Sequence, residues 1–188
     1  MNNLSLTACS FTFRVPHKKT GYYNLNDDVV VDIDDSITTT KVKEMFTSFF
    51  NAYSSIEDDS GKMKTFRCVF SSGNIGDEKA FTYLFAKVHS GGYGSAFDIV
   101  DVKTKKVEYK ANAGQAAERP FYVCIIIPKD SDKVKVQKGM LFFQNTGAYG
   151  VKTITSDFMN IFFSRLKILC LNNSFHLILK NLIDRIIF

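Results

Sequence analysis

Apolar residues recur along this chain with two different periods, and the period separates helices from strands. In residues 40–53 the apolar positions fall at i, i+3, i+4, i+7, i+8 and i+11, which places one apolar stripe along a helix. Thr39 or Thr40 can cap its first turn. A second helix is predicted near 156–170, beginning at Thr155 or Ser156, and its apolar face is formed by Phe158, Ile161, Phe162, Leu166 and Leu169.

Most of the remaining chain has the pattern of β-strands. Turns containing Gly, Asp, Lys or Pro separate predicted strands at 29–33, 65–70, 80–88, 96–102, 106–110, 121–127 and 140–143. Residues 4–15 predict one more strand, and a change of apolar parity near Cys9 predicts a β-bulge in it. The uninterrupted apolar run at 121–127 predicts a central strand that is buried on both faces.

Together these elements predict an α+β fold, with a mostly antiparallel sheet of six to eight strands and one or two helices packed on one face. Residues 1–165 are long enough to form a single domain with its own core. The last 21 residues differ in composition, because Ile, Leu, Asn, Phe and Lys supply 16 of them. Residues 166–188 are therefore predicted to be either a continued amphipathic helix or an aberrant, AT-rich-coded end of a chain truncated from a longer protein.

The composition is typical of a globular protein with a phenyl-rich core, since 45% of the residues are hydrophobic and 18 are Phe, with no Trp. The four cysteines lie singly in apolar stretches, which predicts free thiols in a reducing, cytoplasmic environment. Neither a secretory signal nor an apolar run of about 20 residues is found, so no membrane association is expected.

The charge is unevenly distributed along the chain. Residues 61–138 carry 14 basic and 8 acidic side chains, whereas residues 1–60 carry 5 and 9. Basic residues interleaved with aromatic residues such as Phe66, Tyr93 and Tyr109 can bind nucleic acid through charge and stacking, and the candidates here are Lys62, Lys64, Arg67, Lys103, Lys105 and Lys106. Lysines also protect exposed sheet edges, so an ordinary solvated surface is the alternative.

The predicted hairpin at 96–110 offers candidate catalytic chemistry. Nucleases of the PD-(D/E)xK kind place an Asp on one strand and E-x-K on the next, where they hold Mg²⁺ and activate water. If Val102 pairs with Val107, Asp101 lies opposite Glu108, and Lys110 shares their face. The alternative is a common hairpin with a solvated charged face. Mg²⁺ is expected only under the nuclease alternative, and no other cofactor is predicted.

Three further features have both a functional and a structural interpretation. The related segments SGGYGS (90–95) and TGAYGV (146–151) lack the P-loop and dinucleotide patterns, which favours two tight turns over phosphate-binding loops. His89 is the best candidate for acid–base chemistry, although a lone histidine at a strand end is more often a plain polar residue. Asp32 and Asp34 could share a face for a divalent cation, and a half-exposed strand is the alternative.

Residues 119–163 run through an apolar strand, an IPK turn, a KGMLFFQ strand and a GAYGVKT turn ahead of a helix. This order resembles uncharacterised bacterial proteins from mobile elements and phage-defence neighbourhoods. The resemblance implies a bacterial accessory protein and assigns no residue a role. The expected function is a non-catalytic recognition domain of a cytoplasmic, defence-related bacterial protein that binds nucleic acid or a protein partner. The alternative is a metal-dependent nuclease.

Overall fold

A computed structural model describes residues 4–14, 21–33, 36–132, 134–147, 149–165, 167–168, 173–174 and 176–187. Its helices are α1 (Val42–Ala52), α2 (Lys152–Arg165) and a 3₁₀ turn at Ser72–Asn74. Its strands are β1 (Leu4–Arg14), β2 (Val29–Ile33), β3 (Ser36–Thr40), β4 (Glu57–Asp59), β5 (Lys64–Val69), β6 (Ile75–Asp77), β7 (Phe81–Gly92), β8 (Phe97–Val100), β9 (Val107–Ala111), β10 (Arg119–Pro128), β11 (Gly139–Thr146), β12 (Tyr149–Gly150), β13 (Lys167–Ile168), β14 (Asn173–Ser174) and β15 (His176–Ile187).

The fold is α+β and is built around a large antiparallel sheet, as the sequence predicted. The strand order of the main sheet is β15-β1-β11-β10-β7-β5-β4, while β12 pairs with β11 and β6 pairs with β7. Nine strands therefore form this sheet within the described residues, rather than the predicted six to eight. Part of the difference comes from β6 and β12, which are too short to show a period in the sequence. A second sheet has the order β14-β13-β2-β3, and β8 with β9 forms a separate hairpin.

Both helices pack on one face of the main sheet, called the inner face below. The ring of Phe46 in α1 lies 5.1 Å from that of Phe11 in β1, and Phe158 in α2 stacks on Phe66 in β5 at 4.6 Å. The burial of these phenyl rings removes a large apolar area from water, which stabilises the domain. The largest fully buried side chains are Phe11, Phe13, Phe46, Phe49, Phe50, Phe66, Phe143, Phe163, Leu25, Met45 and Leu84.

The predicted helices exist, but their ends differ from the prediction. The first is capped by Glu44, whose carboxylate accepts a hydrogen bond from the Lys41 N–H at 3.1 Å, while Thr39 and Thr40 lie in β3. The second begins earlier, at Lys152, and its Ile161 is exposed rather than part of the apolar face. The described backbone after Arg165 forms strands and does not continue the helix.

The opposite face of the main sheet, called the outer face, carries no helix within the described residues. In β10 the inner-face side chains Phe121, Val123, Ile125 and Ile127 are buried, whereas Tyr122 is exposed and Cys124 and Ile126 are half-buried. The prediction that this central strand is buried on both faces is therefore wrong. Its outer side is apolar but remains accessible.

β1 also carries apolar side chains on both of its faces. Its register with β11 runs without interruption from Leu4 to Phe11, so the apparent parity change marks two apolar faces and not a bulge towards β11. Register shifts occur only in its pairing with β15, on either side of Ala8. No helix among the described residues has the length and apolar character needed to cross a membrane.

Candidate functional site

The hairpin β8–β9 does not assemble the predicted catalytic triplet. Val107 pairs with Val100 and not with Val102, and a register shift follows Ile99. As a result, Asp101 lies in the turn beyond the last strand pair, where its Oδ1 accepts the backbone N–H groups of Lys103 and Thr104 at 2.7 Å each. These two hydrogen bonds hold the pKa of Asp101 below its usual range, and the bond from Thr104 makes the larger contribution.

The other members of the triplet are separated from Asp101 by this register. Lys110 lies across from Asp98, and Glu108 falls at the irregularity between the paired residues. Within the described side chains no group of three His, Cys, Asp or Glu residues could hold a metal ion. Asp34 and the side chain of Asp32 lie outside the described residues.

The predicted basic residues divide into compensated and uncompensated cations. Lys62 forms ion pairs with Asp59 and Asp157, and the Nε of Arg67 lies 2.8 Å from Glu118. The remaining predicted cations, Lys64, Lys103, Lys105 and Lys106, have no carboxylate within 4.0 Å among the described side chains. Lys103, Lys105 and Lys106 lie at the exposed tip of the β8–β9 hairpin.

The aromatic residues predicted beside these cations are in different environments. Phe66 is fully buried in the core, so it cannot stack on a nucleic-acid base. Tyr93 donates its hydroxyl proton to Asp58 at 2.5 Å, and Tyr109 accepts a hydrogen bond from the Gln115 side chain. The predicted aromatic residues therefore do not form one exposed stacking surface, and a second set of aromatic residues is more accessible.

That second set lies on the outer face. The rings of Phe85 in β7 and Tyr122 in β10 are stacked, with centroids 5.0 Å apart and an interplanar angle of 14°. Phe85 is 38% exposed and Tyr122 is 42% exposed. Lys87 lies directly across from Tyr122 in the strand register. The result is an accessible aromatic surface with a cation beside it.

A half-buried polar cluster continues the outer face towards the end of β7. Glu118 accepts hydrogen bonds from the Nε of Arg67 and from the hydroxyl of Thr65, at 2.8 and 3.1 Å. The Nδ1 of His89 lies 4.0 Å from the same carboxylate. Burial, and then the positive charges of Arg67 and Lys87, lower the pKa of His89 below its usual value. This environment favours the neutral imidazole of His89.

The two related glycine segments meet at one cleft of about 350 Å³. Tight turns are present in both, since Gly94 and Gly147 have φ values of +98° and +59°. However, Ser90, Gly91 and Gly92 are strand residues, and they face Tyr149 and Gly150 across the opening. The cleft is lined by Lys64, Ser90–Gly92, Ala117, Arg119, Phe121 and Tyr149–Gly150. His89 and Glu108 are not among its lining residues.

A second cavity, of about 370 Å³, lies near the opposite end of β7 and β10. Its cations already have internal partners: Lys129 Nζ lies 2.8 Å from Asp77, and Lys41 pairs with Asp28 at 3.8 Å. Asp130 accepts hydrogen bonds from Asn24, Asn26 and the Val136 N–H. This cavity therefore offers little unsatisfied charge to a ligand.

The sequence analysis missed Phe85, Tyr122 and Arg119 as site residues. The sequence did contain a signal for the exposure of Phe85. Phe85 has the same parity in β7 as the charged Lys87, whereas the buried Leu84, Ala86 and Val88 have the other parity.

Comparison with models of known protein families finds no match, and comparisons with curated proteins and with solved structures find no significant match. The bacterial, defence-related setting implied by the resemblance of residues 119–163 stays a prediction.

Proposed function

We propose that this chain is a non-catalytic recognition domain that binds single-stranded nucleic acid on the outer face of its main sheet. The observation that carries the proposal is the stacked pair of Phe85 and Tyr122, which stays about two-fifths exposed at the centre of that face. β7 and β10 are central strands of the sheet, so the backbone holds both rings firmly.

Stacking favours an unpaired strand as the partner. An exposed aromatic ring on a rigid strand can contact the flat face of any base, and such contacts contribute about 1–3 kcal/mol per base. In a duplex the bases are already stacked on each other, and a broad sheet face does not enter a groove as a helix does. Single-stranded RNA or DNA with little sequence preference is the matching class of ligand.

The charges beside the rings fit a polyanion. Lys87 supplies this charge, because it lies across from Tyr122 on the same face and has no carboxylate within 4.0 Å among the described side chains. The carboxylate of Glu118 in this region is already compensated by Arg67. Phosphate groups that follow the stacked bases would therefore meet positive rather than negative charge. The exposed hairpin lysines can extend this attraction beyond the sheet.

We expect Tyr122→Ala to weaken the binding of a 12-nucleotide single strand by about 5-fold to 100-fold, which corresponds to the loss of one stacked base. Fluorescence anisotropy with labelled oligopyrimidine RNA and DNA measures the dissociation constants at fixed salt. Tyr122→Phe keeps the ring and should bind within about twofold of the original chain. Ile161→Ala, which removes an exposed apolar side chain on α2, is the control for a nonspecific loss of apolar surface.

The salt dependence of the binding constant tests the contribution of Lys87 independently of stacking. Lys87→Ala should reduce the slope of log K against log salt by about 0.7, because one phosphate contact is lost. Equal affinities of the original chain and Tyr122→Ala for both nucleic acids would contradict the proposal. Failure to bind either nucleic acid would reject it as well.

A further inference from the structure

The cleft between the two glycine segments exists because the main sheet splits there. β10 pairs with β7 from Arg119 to Pro128, but it pairs with β11 only from Val123 to Ile126. Beyond this point β11 pairs with β12 instead, through Asn145 and Thr146. The side chain of Gln144 bridges the start of the split by accepting the Tyr122 N–H at 2.9 Å. The opening is therefore part of the strand arrangement.

The charge lining the split is positive and unpaired. No carboxylate oxygen lies within 4.0 Å of the charged nitrogens of Lys64 or Arg119 among the described side chains. The neighbouring acid, Glu118, belongs to the outer-face cluster with Arg67. Two uncompensated cations beside a cavity favour an anionic ligand.

Aromatic groups give the cleft a second chemical character. The guanidinium carbon of Arg119 lies 4.0 Å from the ring centre of Tyr149, and Phe121 lines the wall beside it. A guanidinium that contacts a ring through its face keeps its N–H donors in its own plane, where they can bind an oxyanion. Guanidinium planes and aromatic rings also stack on nucleic-acid bases. The lining therefore suits a ligand that combines an oxyanion with a flat ring.

Glycines keep the walls of the cleft free of side chains. A Cβ on Gly91 would overlap the backbone of Ala117, and a Cβ on Gly150 would overlap the side chain of Asn145. Gly92 is different, because a Cβ there would meet nothing closer than the Met63 carbonyl oxygen at 3.9 Å. Gly92 pairs with Lys64 and shares its side of the sheet. A side chain introduced at Gly92 would fill the cleft without a clash at its base.

We infer that this cleft binds the phosphomonoester of a single nucleotide, either free or at the end of a nucleic-acid strand. The volume of about 350 Å³ lies near the lower end of the range for small-molecule sites, about 300–1,000 Å³, and suits one nucleotide rather than two. A terminal phosphate carries close to two negative charges at neutral pH, against one for a phosphodiester, so two cations discriminate in its favour. The strand-end form of this inference rests on the proposed function, whereas binding of a free nucleotide does not.

The test compares 12-nucleotide single strands that carry a 5′-phosphate, a 3′-phosphate or no terminal phosphate, together with free nucleoside monophosphates measured by calorimetry. We expect at least one terminal phosphate to raise the affinity by about 10-fold to 100-fold, the effect of one or two charge-assisted hydrogen bonds. Arg119→Ala, Lys64→Ala and Gly92→Leu should abolish this preference, and Gly92→Leu, which removes no charge, should leave binding of the unphosphorylated strand within about twofold. Lys79→Ala, which removes an exposed lysine at the far end of β7, should preserve it.

The outcomes separate this inference from the proposed function. If no strand binds but a nucleoside monophosphate binds and Gly92→Leu prevents it, the outer-face proposal fails and the cleft inference stands. If strands bind equally with and without terminal phosphates, and free nucleotides do not bind, the cleft inference is overturned and the outer-face proposal stands. Circular dichroism of each variant confirms that a lost preference does not reflect a lost fold.

Discussion

Replacing Phe66 by alanine is expected to lower the free energy of unfolding by about 3–5 kcal/mol, the usual cost of emptying a phenyl site in a packed core. The Phe66 side chain is fully buried, stacks on Phe158 at 4.6 Å and meets Tyr53 edge-on at 5.8 Å. Phe158 belongs to α2 and Tyr53 is the residue that ends α1, so the cavity would loosen the attachment of both helices to the sheet. Denaturant unfolding followed by circular dichroism measures the change.

Phe85→Ala is the matched comparison, because the same side chain is removed from the outer face. Phe85 is 38% exposed, and among the described side chains its ring stacks on Tyr122 alone, so we expect a loss of about 1 kcal/mol. The two variants should thus separate stability from function: Phe66→Ala is less stable, while Phe85→Ala binds single strands more weakly. Equal losses of stability would mean that the outer face is as tightly packed as the core, which would contradict the proposed site.

Raising the pH above about 9 is expected to destabilise the protein through Cys68. Burial raises the pKa of this thiol from 9.0 to about 12. Between these values the unfolded chain releases the proton and the folded chain retains it, so the free energy of unfolding falls by about 1.4 kcal/mol per pH unit. The stabilisation is fully present below pH 9 and is lost as the pH rises towards 12. Between pH 9 and 10.5 the expected loss is about 2 kcal/mol.

Cys68→Ala isolates this contribution, since alanine cannot ionise. Other groups with raised pKa values, among them Cys9 and Tyr53, change stability in the same direction in both proteins. The measured quantity is therefore the difference in slope between the original chain and the variant, obtained from urea unfolding at several pH values. Cys124→Ala, which alters a half-buried thiol on the outer face, should change the slope less. Parallel profiles for the original chain and Cys68→Ala would show that the thiol is accessible.

The elements with a complete period were predictable from the sequence. The stripe from Val42 to Phe50 identified α1 because each of its apolar residues is buried against the sheet. β7, β10 and β11 were predictable as strands from their apolar runs, while their burial alternates because the helices cover only one face of the sheet. The free thiols predicted at Cys68 and Cys124 are confirmed, while Cys170 lies outside the described residues.

Pairing and register could not be predicted in the same way. Both Val100 and Val102 are apolar and could pair with Val107. The pairing with Val100 depends on how Asp101 closes the turn. The candidate triplet of Asp101, Glu108 and Lys110 was based on the other register. Whether the chain cleaves nucleic acid with Mg²⁺ stays a prediction, but the hairpin does not place these three groups together.

The longer helices and strands, the phenyl-rich core and the α+β class were predictable from the sequence, because they follow from local periodicity and composition. Which apolar residues remain accessible depends on how the helices and strands pack. Phe85 and Tyr122 resemble core residues in the sequence, yet they lie on the sheet face that both helices leave uncovered. Likewise, Arg119 and the two glycine segments become one cleft only because β10 separates from β11. Such contacts join residues far apart in the chain, and local patterns carry no information about them.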